Sequence, residues 1–166
     1  MNTGLTDPFG RSVDYVRLSV TDRCDLRCFY CLPGDYRDFS EPEEWLTFTE
    51  IERVIAAFAS LGVRRVRITG GEPLVRKNLP QLAGRLAAIP ELEDLSLSTN
   101  AVALARHAGA LREAGIGRIN VSLDSLRAER FREITRGKLD KVLDLSLIHI
   151  SEPTRPMKES RMPSYA

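Results

Sequence analysis

The chain has 166 residues, of which 43% are hydrophobic and 28% charged, which is enough for one domain with a hydrophobic core. Its 24 basic and 23 acidic residues leave a net charge of +1, which gives no electrostatic case for nucleic acid or an acidic membrane as a partner. No apolar run approaches the roughly 18 residues of a membrane span, and the first residues lack the apolar stretch of a secretory signal, so we expect a cytoplasmic chain.

Four strands are predicted where apolar and polar residues alternate. In chain order they are Tyr15–Val20, Arg64–Thr69, Leu95–Ser98 and Arg118–Leu123. Helical periodicity is found at Thr49–Leu61, Leu79–Ile89, Leu104–Ala114 and Leu126–Thr135. In the first helix Thr49 is the predicted N-cap and Gly62 the C-terminal stop. Strands that alternate with helices predict an α/β fold with a parallel sheet, in the manner of a partial (β/α) barrel.

The alternation within the strands predicts a sheet with one polar face. Strands covered by helices on both faces are usually apolar throughout, whereas here Arg17 and Arg67 share the polar side with several serines. Two arginines on a face that helices do not cover favour an anionic ligand such as a phosphate. The alternative is an antiparallel sheet with one solvated face, which alternates in the same way.

Three cysteines follow the first strand in a C-x3-C-x2-C pattern. Cys24, Cys28 and Cys31 are close enough in sequence to share a soft metal centre. Three thiolates on a four-iron cluster leave one iron open to chelation, whereas structural zinc takes four ligands and the nearest histidine, His107, is distant in sequence. Three incidental thiols, or a zinc site completed elsewhere, remain alternatives.

A second motif, Gly70-Gly71-Glu72-Pro73, directly follows the second strand. Paired glycines allow the backbone to approach a ligand closely, and the carboxylate of Glu72 can accept hydrogen bonds from an ammonium group. A turn with a solvated glutamate is the alternative. In a parallel sheet this motif lies at the same edge as the cysteines, where barrels of this kind place their sites.

Together the two motifs resemble the radical S-adenosylmethionine (SAM) enzymes. More narrowly, the segments DPFGR, YVRLSVTDRCDLRCFYCLP, VRITGGEPLVR, LSTN and INVSLDSL resemble the GTP 3′,8-cyclase family of molybdenum cofactor biosynthesis. The likeness is nearly continuous over residues 6–143. It implies a partial (β/α) barrel of radical SAM type, truncated after about four βα units. Another radical SAM enzyme, acting on a peptide or on haem, and a non-catalytic metal-binding fragment are the alternatives.

The resemblance also implies a role for each matching residue. The three cysteines would hold a [4Fe–4S] cluster, whose open iron binds SAM. The SAM contacts would be Tyr30, Gly71, Glu72 and Ser122. The GTP contacts would be Arg17, Arg67 and Ser98. No side chain is assigned as catalytic, because an electron from the cluster would cleave SAM and the resulting radical would act on the ribose of GTP. The sequence does not identify the electron donor that would reduce the cluster.

Several of these residues could instead have a purely structural role. The two arginines could pair with Asp124 or Glu72, and the two serines could be small residues that fill the barrel. The chain also departs from the family at two points. Ala101 replaces a usual glycine, and the chain has no cysteine after Cys31, whereas the family holds a second [4Fe–4S] cluster with cysteines of its C-terminal region. We therefore expect a fragment that does not complete the reaction by itself. The resemblance also allows the intact protein to be a homodimer.

The composition changes near residue 144. We expect residues 1–144 to be the N-terminal part of a radical SAM core domain and residues 145–166 to be a non-native or disordered tail. Three prolines interrupt this tail, and its segment LSLIHISEPTR resembles the conceptual translation of a sequencing-library adapter.

Overall fold

The strands form one parallel sheet. The computed structural model describes residues 4–31, 36–40 and 42–143, and the predicted tail lies outside them. The strands are β1 (Tyr15–Ser19), β2 (Arg65–Thr69), β3 (Asp94–Thr99) and β4 (Arg118–Val121). They lie side by side in the order β1-β2-β3-β4, and every neighbouring pair is parallel. The predicted strands and the α/β class are confirmed, and the antiparallel alternative is wrong.

Helices connect the strands, as the periodicity predicts. They are α1 (Phe48–Ser60), α2 (Leu79–Ala87), α3 (Leu104–Glu113), α4 (Ala128–Thr135) and α5 (Asp140–Leu143), with 3₁₀ turns at Pro42–Glu44 and Pro73–Val75. Gly62 follows α1 with φ of +103°, so the predicted stop is confirmed. No helix in the described part of the chain is long and apolar enough to cross a membrane.

The N-cap of α1 is Thr47, so the prediction of Thr49 is wrong. The Thr47 hydroxyl accepts from the backbone N–H of Glu50, while the Glu50 carboxylate accepts from the backbone N–H of Thr47 at 2.7 Å. Both threonines are followed three residues later by a glutamate, so the capping pattern alone does not distinguish them. Starting at Thr47 places Leu46 and Ile51 at the two positions of a hydrophobic staple, which favours this start.

One face of the sheet carries the core. Val16 and Val66 are register partners, as are Leu18 and Ile68, and β3 continues the apolar rows with Leu95 and Leu97. These side chains pack in one cluster with the buried residues of the helices. Large buried side chains of the helices in this cluster are Ile51, Ile55, Leu79, Leu82, Leu86, Leu111 and Phe131. Burial of each such side chain contributes about 1.5–3 kcal/mol, so this face holds the helices against the sheet.

The opposite face, which we call the polar face, carries Arg17, Arg67 and Ser98. Arg17 and Arg67 are register partners on β1 and β2, and Ser98 is the partner of Asn120 on β4. Ser96, on the same face, is completely buried, and its hydroxyl donates to the Val66 carbonyl at 3.4 Å. On the other side Val121 is 45% exposed, so the apolar face of the sheet is not fully covered at the end of β4.

Candidate active site

The carboxyl ends of the four strands bring four segments to one edge of the sheet. After β1 comes the cysteine loop, residues 20–31, which holds all three cysteines. The other segments are Gly70–Pro73 after β2, Thr99–Ala101 after β3 and Ser122–Asp124 after β4. Parallel strands end at a common edge, and open α/β sheets bind ligands there. The predicted cofactor residues therefore belong to one region of the molecule.

The glycine pair packs against the cysteine loop. A Cβ on Gly71 would lie 2.4 Å from the carbonyl oxygen of Arg23, and one on Gly70 would lie 2.4 Å from that of Thr21. The Gly71 N–H donates to the Thr21 carbonyl at 2.7 Å, and the Glu72 N–H donates to the Arg23 carbonyl at 2.8 Å. The sequence predicts a close approach to a ligand at these glycines. The close approach found here is that of the chain's own loop.

Glu72 is buried and ties the end of β2 to the end of β3. It is 1% exposed, and its Oε1 accepts from the Thr99 hydroxyl at 2.7 Å and from the Leu74 N–H at 3.0 Å. Oε2 accepts from the Asn100 N–H at 2.7 Å. Burial raises the pKa of this carboxyl above its ordinary value, against the effect of these hydrogen bonds. The alternative of a solvated glutamate is wrong.

Asn100 connects the end of β3 to the cysteine loop, and sequence analysis did not identify it. Its Nδ2 lies 2.7 Å from Asp25 Oδ1 and 3.8 Å from Cys24 Sγ. Its Oδ1 accepts from the backbone N–H of Val102 at 2.9 Å. Asn100 could have been predicted from its position directly after the third strand, because polar residues at that edge of a parallel sheet are candidates for a binding site.

Ala101, which replaces the usual glycine, has a left-handed backbone. Its φ is +67° and it is completely buried. An L-residue in this conformation costs roughly 1–2 kcal/mol, so Ala101 is strained at a position where a glycine would not be. The Ala101 N–H donates to the Thr99 hydroxyl oxygen at 3.0 Å, which holds the turn in place.

The cysteines are reduced and unequally exposed. Cys24 and Cys28 are partly buried, whereas Cys31 is exposed. Burial raises the pKa of the Cys24 and Cys28 thiols, so deprotonation would accompany metal binding. Among the described residues no group of three or more His, Cys, Asp and Glu is arranged to hold a metal ion. The thiols are therefore not converged on a common point.

The three cysteine thiols are nonetheless of the chemical type that binds an iron–sulfur cluster. Three unpaired thiols lie within eight residues of one loop, and soft thiolates are the ligands that such clusters use. Cys31 is exposed and Cys28 is only partly buried, so neither side chain is fixed by dense packing. The Leu26 N–H already points at Cys24 Sγ from 3.4 Å, which is the kind of contact that stabilises a thiolate ligand.

Tyr30 links the cysteine loop to the end of β4. Its hydroxyl donates to Asp124 Oδ1 at 2.8 Å, and the residue is 58% exposed. Partial desolvation raises the pKa of Tyr30, and its hydrogen bonds to Asp124 and Cys28 raise it further. Ser122 is exposed on the same segment, and its backbone N–H donates to the Thr99 carbonyl at 2.9 Å. The structure thus brings Tyr30 near the segment of Ser122.

The polar face sets Arg17 and Arg67 side by side on neighbouring strands. Neither makes an ion pair with any described residue, and the Nε of Arg67 is buried without a hydrogen-bond partner in residues 4–31, 36–40 and 42–143. The suggested partners are engaged elsewhere, Asp124 by Tyr30 and Glu72 by Thr99. By contrast, Arg65 pairs with Asp14 at 2.7 Å.

Like charges opposite each other in neighbouring strands are destabilising, because the strands are only about 4.8 Å apart. The guanidinium of Arg67 lies 5.5 Å from the ring centroid of Tyr15, which offsets part of this repulsion. The remaining positive charge is suited to a multiply charged anion. Ser98 is half-buried on β3 of the same face, and its hydroxyl could donate a hydrogen bond to such a ligand.

Comparison with known proteins gives one family. The sequence profile of the Radical SAM superfamily matches residues 18–146. A GTP 3′,8-cyclase of Listeria monocytogenes is 52% identical over 141 residues, and one of Ectopseudomonas mendocina is 56% identical over 140. Each match covers 84% of this chain and 42% of the relative. The chain therefore spans less than half the length of these curated relatives.

Solved structures share the fold at low sequence identity. Streptococcus suis SuiB bound to the precursor peptide SuiA has a TM-score of 0.64 at 20% identity, over 80% of this chain and 29% of that one. BtrN in complex with AdoMet and 2-DOIA has a TM-score of 0.54 at 21% identity, over 75% of this chain and 51% of that one. These likenesses concern the arrangement of strands and helices.

Proposed function

Because the chain belongs to the Radical SAM superfamily, we propose that it contributes the cluster-binding and phosphate-binding part of a GTP 3′,8-cyclase. The observation that carries the proposal is the Arg17–Arg67 pair on the polar face, two residues before the ends of β1 and β2. Neither arginine has a counter-ion among the described residues. Two residues of strand span about 7 Å, so a triphosphate held there would lie close to the cysteine loop.

The residues at the strand ends have distinct proposed roles. Cys24, Cys28 and Cys31 would hold a [4Fe–4S] cluster, which when bound supplies the electron that cleaves SAM. The aromatic ring of Tyr30 would contact the adenosyl group. Gly71 and its neighbour Glu72 would contact the methionine end. For Glu72 this contact has to use the second lone pair of Oε2, because Oε1 already accepts two hydrogen bonds.

On the polar face the chain would bind and orient the substrate. Arg17 and Arg67 would hold the phosphates of GTP by charge-assisted hydrogen bonds, and Ser98 would contact the nucleotide between them and the strand end. Ser122, exposed after β4, would reach SAM from the opposite side of the site. The contribution of these residues is to hold two reactants in a fixed relative position, which supplies much of the rate of a two-substrate reaction.

We further propose that the 166-residue chain binds its ligands without completing turnover. The relatives of that name are more than twice as long as the part that matches, and four strands are found in the described residues. Formation of the cyclised nucleotide by this chain alone, under reducing anaerobic conditions with SAM and GTP, would refute this part of the proposal.

GTP binding to anaerobically reconstituted protein tests the assignment of the polar face. One charge-assisted hydrogen bond contributes about 1.5–3 kcal/mol, so Arg17→Ala and Arg67→Ala should each weaken GTP binding by tenfold or more. The matched control is Arg112→Ala, since Arg112 is exposed in the last turn of α3. Equal GTP affinity in all three variants, measured by isothermal titration calorimetry, would contradict the proposed site.

A further inference from the structure

The Asn100 side chain is the most direct link between the end of β3 and the candidate cluster ligands. Its amide nitrogen is within hydrogen-bond distance of the Asp25 carboxylate at 2.7 Å and near the Cys24 sulfur at 3.8 Å. Residues 24 and 100 are far apart in sequence, so this contact fixes a long-range position of the loop. An amide NH₂ group has two hydrogens, one for each of these acceptors.

The orientation of this amide is determined by its own surroundings. Its Oδ1 accepts from the Val102 N–H, which leaves the NH₂ group directed at the loop. The Asn100 backbone N–H donates to buried Glu72, and the following residue, Ala101, is buried in a left-handed conformation. The side chain and the backbone of Asn100 are therefore both fixed by hydrogen bonds. Such a rigid residue is suited to positioning a neighbouring group.

We propose that Asn100 is a positioning residue for Cys24, which holds the cysteine loop through Asp25 and donates an N–H to the Cys24 sulfur. The first part concerns the metal-free chain. The second part rests on the proposed function, because it concerns the sulfur as a cluster ligand. Hydrogen bonds to ligand sulfurs are among the features that set the reduction potential of an iron–sulfur cluster.

The Asp25 carboxylate explains why the amide would matter for the potential. Asp25 Oδ1 lies 4.0 Å from Cys24 Sγ, and the Asn100 amide is in contact with both groups. Without the amide, the carboxylate would face the ligand sulfur, and the Leu26 N–H would be the donor that remains at that sulfur among the described contacts. Negative charge beside a cluster disfavours the added electron, so the midpoint potential would become more negative.

Hydrogen exchange of the metal-free chain tests the first part. Asn100→Asp keeps the acceptor for Val102 but replaces the donor with an oxygen that repels Asp25, whereas Asn100→Leu removes both functions without adding charge. In each variant, exchange in residues 22–31 should rise by roughly tenfold relative to α1, the factor for one hydrogen bond to a charged group. The control is Asn78→Asp, because Asn78 is exposed and its side chain makes no capping hydrogen bond at the start of α2.

Unchanged protection of residues 22–31 in both Asn100 variants would overturn the positioning role. After reconstitution, Asn100→Leu should have a lower midpoint potential than the unaltered chain, with shifted iron–sulfur bands in the resonance Raman spectrum. A potential and a spectrum equal to those of Asn78→Asp would overturn the sulfur hydrogen bond. If the unaltered chain takes up no cluster, the proposed cluster is wrong, and the exchange comparison still decides the positioning role.

Discussion

The same chemical change, glycine to alanine, should have opposite effects at Gly71 and Gly84. A Cβ on Gly71 would meet the Arg23 carbonyl oxygen at 2.4 Å and the Asp22 carbonyl oxygen at 2.7 Å. Gly84 lies within α2, and a Cβ there would meet nothing within 4 Å. The comparison therefore tests whether the cysteine loop is packed against the end of β2.

The size of the effect follows from the distances. Carbon contacts normally lie at about 3.5 Å or more, so the loop would have to retreat by about 1 Å. The loop accepts hydrogen bonds from Gly71 at 2.7 Å and from Glu72 at 2.8 Å, and both would then exceed hydrogen-bond length. Two such bonds contribute roughly 2 kcal/mol, so Gly71→Ala should lower the free energy of unfolding by about that amount.

Gly84→Ala should instead raise the free energy of unfolding by about 0.5–1 kcal/mol, because alanine is the better helix former. The measurement is urea unfolding under reducing conditions, followed by circular dichroism, with the midpoint and slope compared for both variants. If Gly71→Ala were as stable as Gly84→Ala, the close packing of the loop on β2 would be refuted.

Three further predictions concern stability and are measured in the same way. Thr47→Ala should cost about 1 kcal/mol through loss of the N-cap of α1, whereas Thr49→Ala should cost less, and equal losses would contradict the assigned cap. Ala101→Val should cost about 2 kcal/mol or more, because a β-branched residue is poorly tolerated at a φ of +67°, and a neutral effect would show that the turn relaxes. Phe131→Ala should cost about 3–5 kcal/mol, because Phe131 is 1% exposed, while a loss below 1 kcal/mol would mean that α4 does not pack on the core.

The strands and their faces could be predicted because their information is local. Alternation over five or six residues decides both the presence of a strand and the side on which Arg17 and Arg67 lie. The parallel arrangement followed from the helices between the strands. The end of α1 was predictable at Gly62, but its start was ambiguous because two threonines each precede a glutamate at capping distance.

The connections within the site could not be predicted because they depend on distant residues. Glu72 has no sequence feature that distinguishes a solvated carboxylate from one bound to Thr99 and the Asn100 N–H. The same holds for the glycine pair, whose partner is a backbone segment about fifty residues earlier. The positions of such groups are set by the register of the sheet, which sequence alternation limits but does not specify.

The sequential order of the sheet has a consequence for how the site forms during synthesis. Each strand lies beside the one made just before it, so contacts between neighbouring units can form as the chain emerges. The Arg17–Arg67 pair and the packing of the glycines can form once β2 has docked, and the link from Asn100 to the cysteine loop requires β3. The Tyr30–Asp124 hydrogen bond comes last, after β4. The contacts of the candidate site would thus form in the order in which the strands are synthesised.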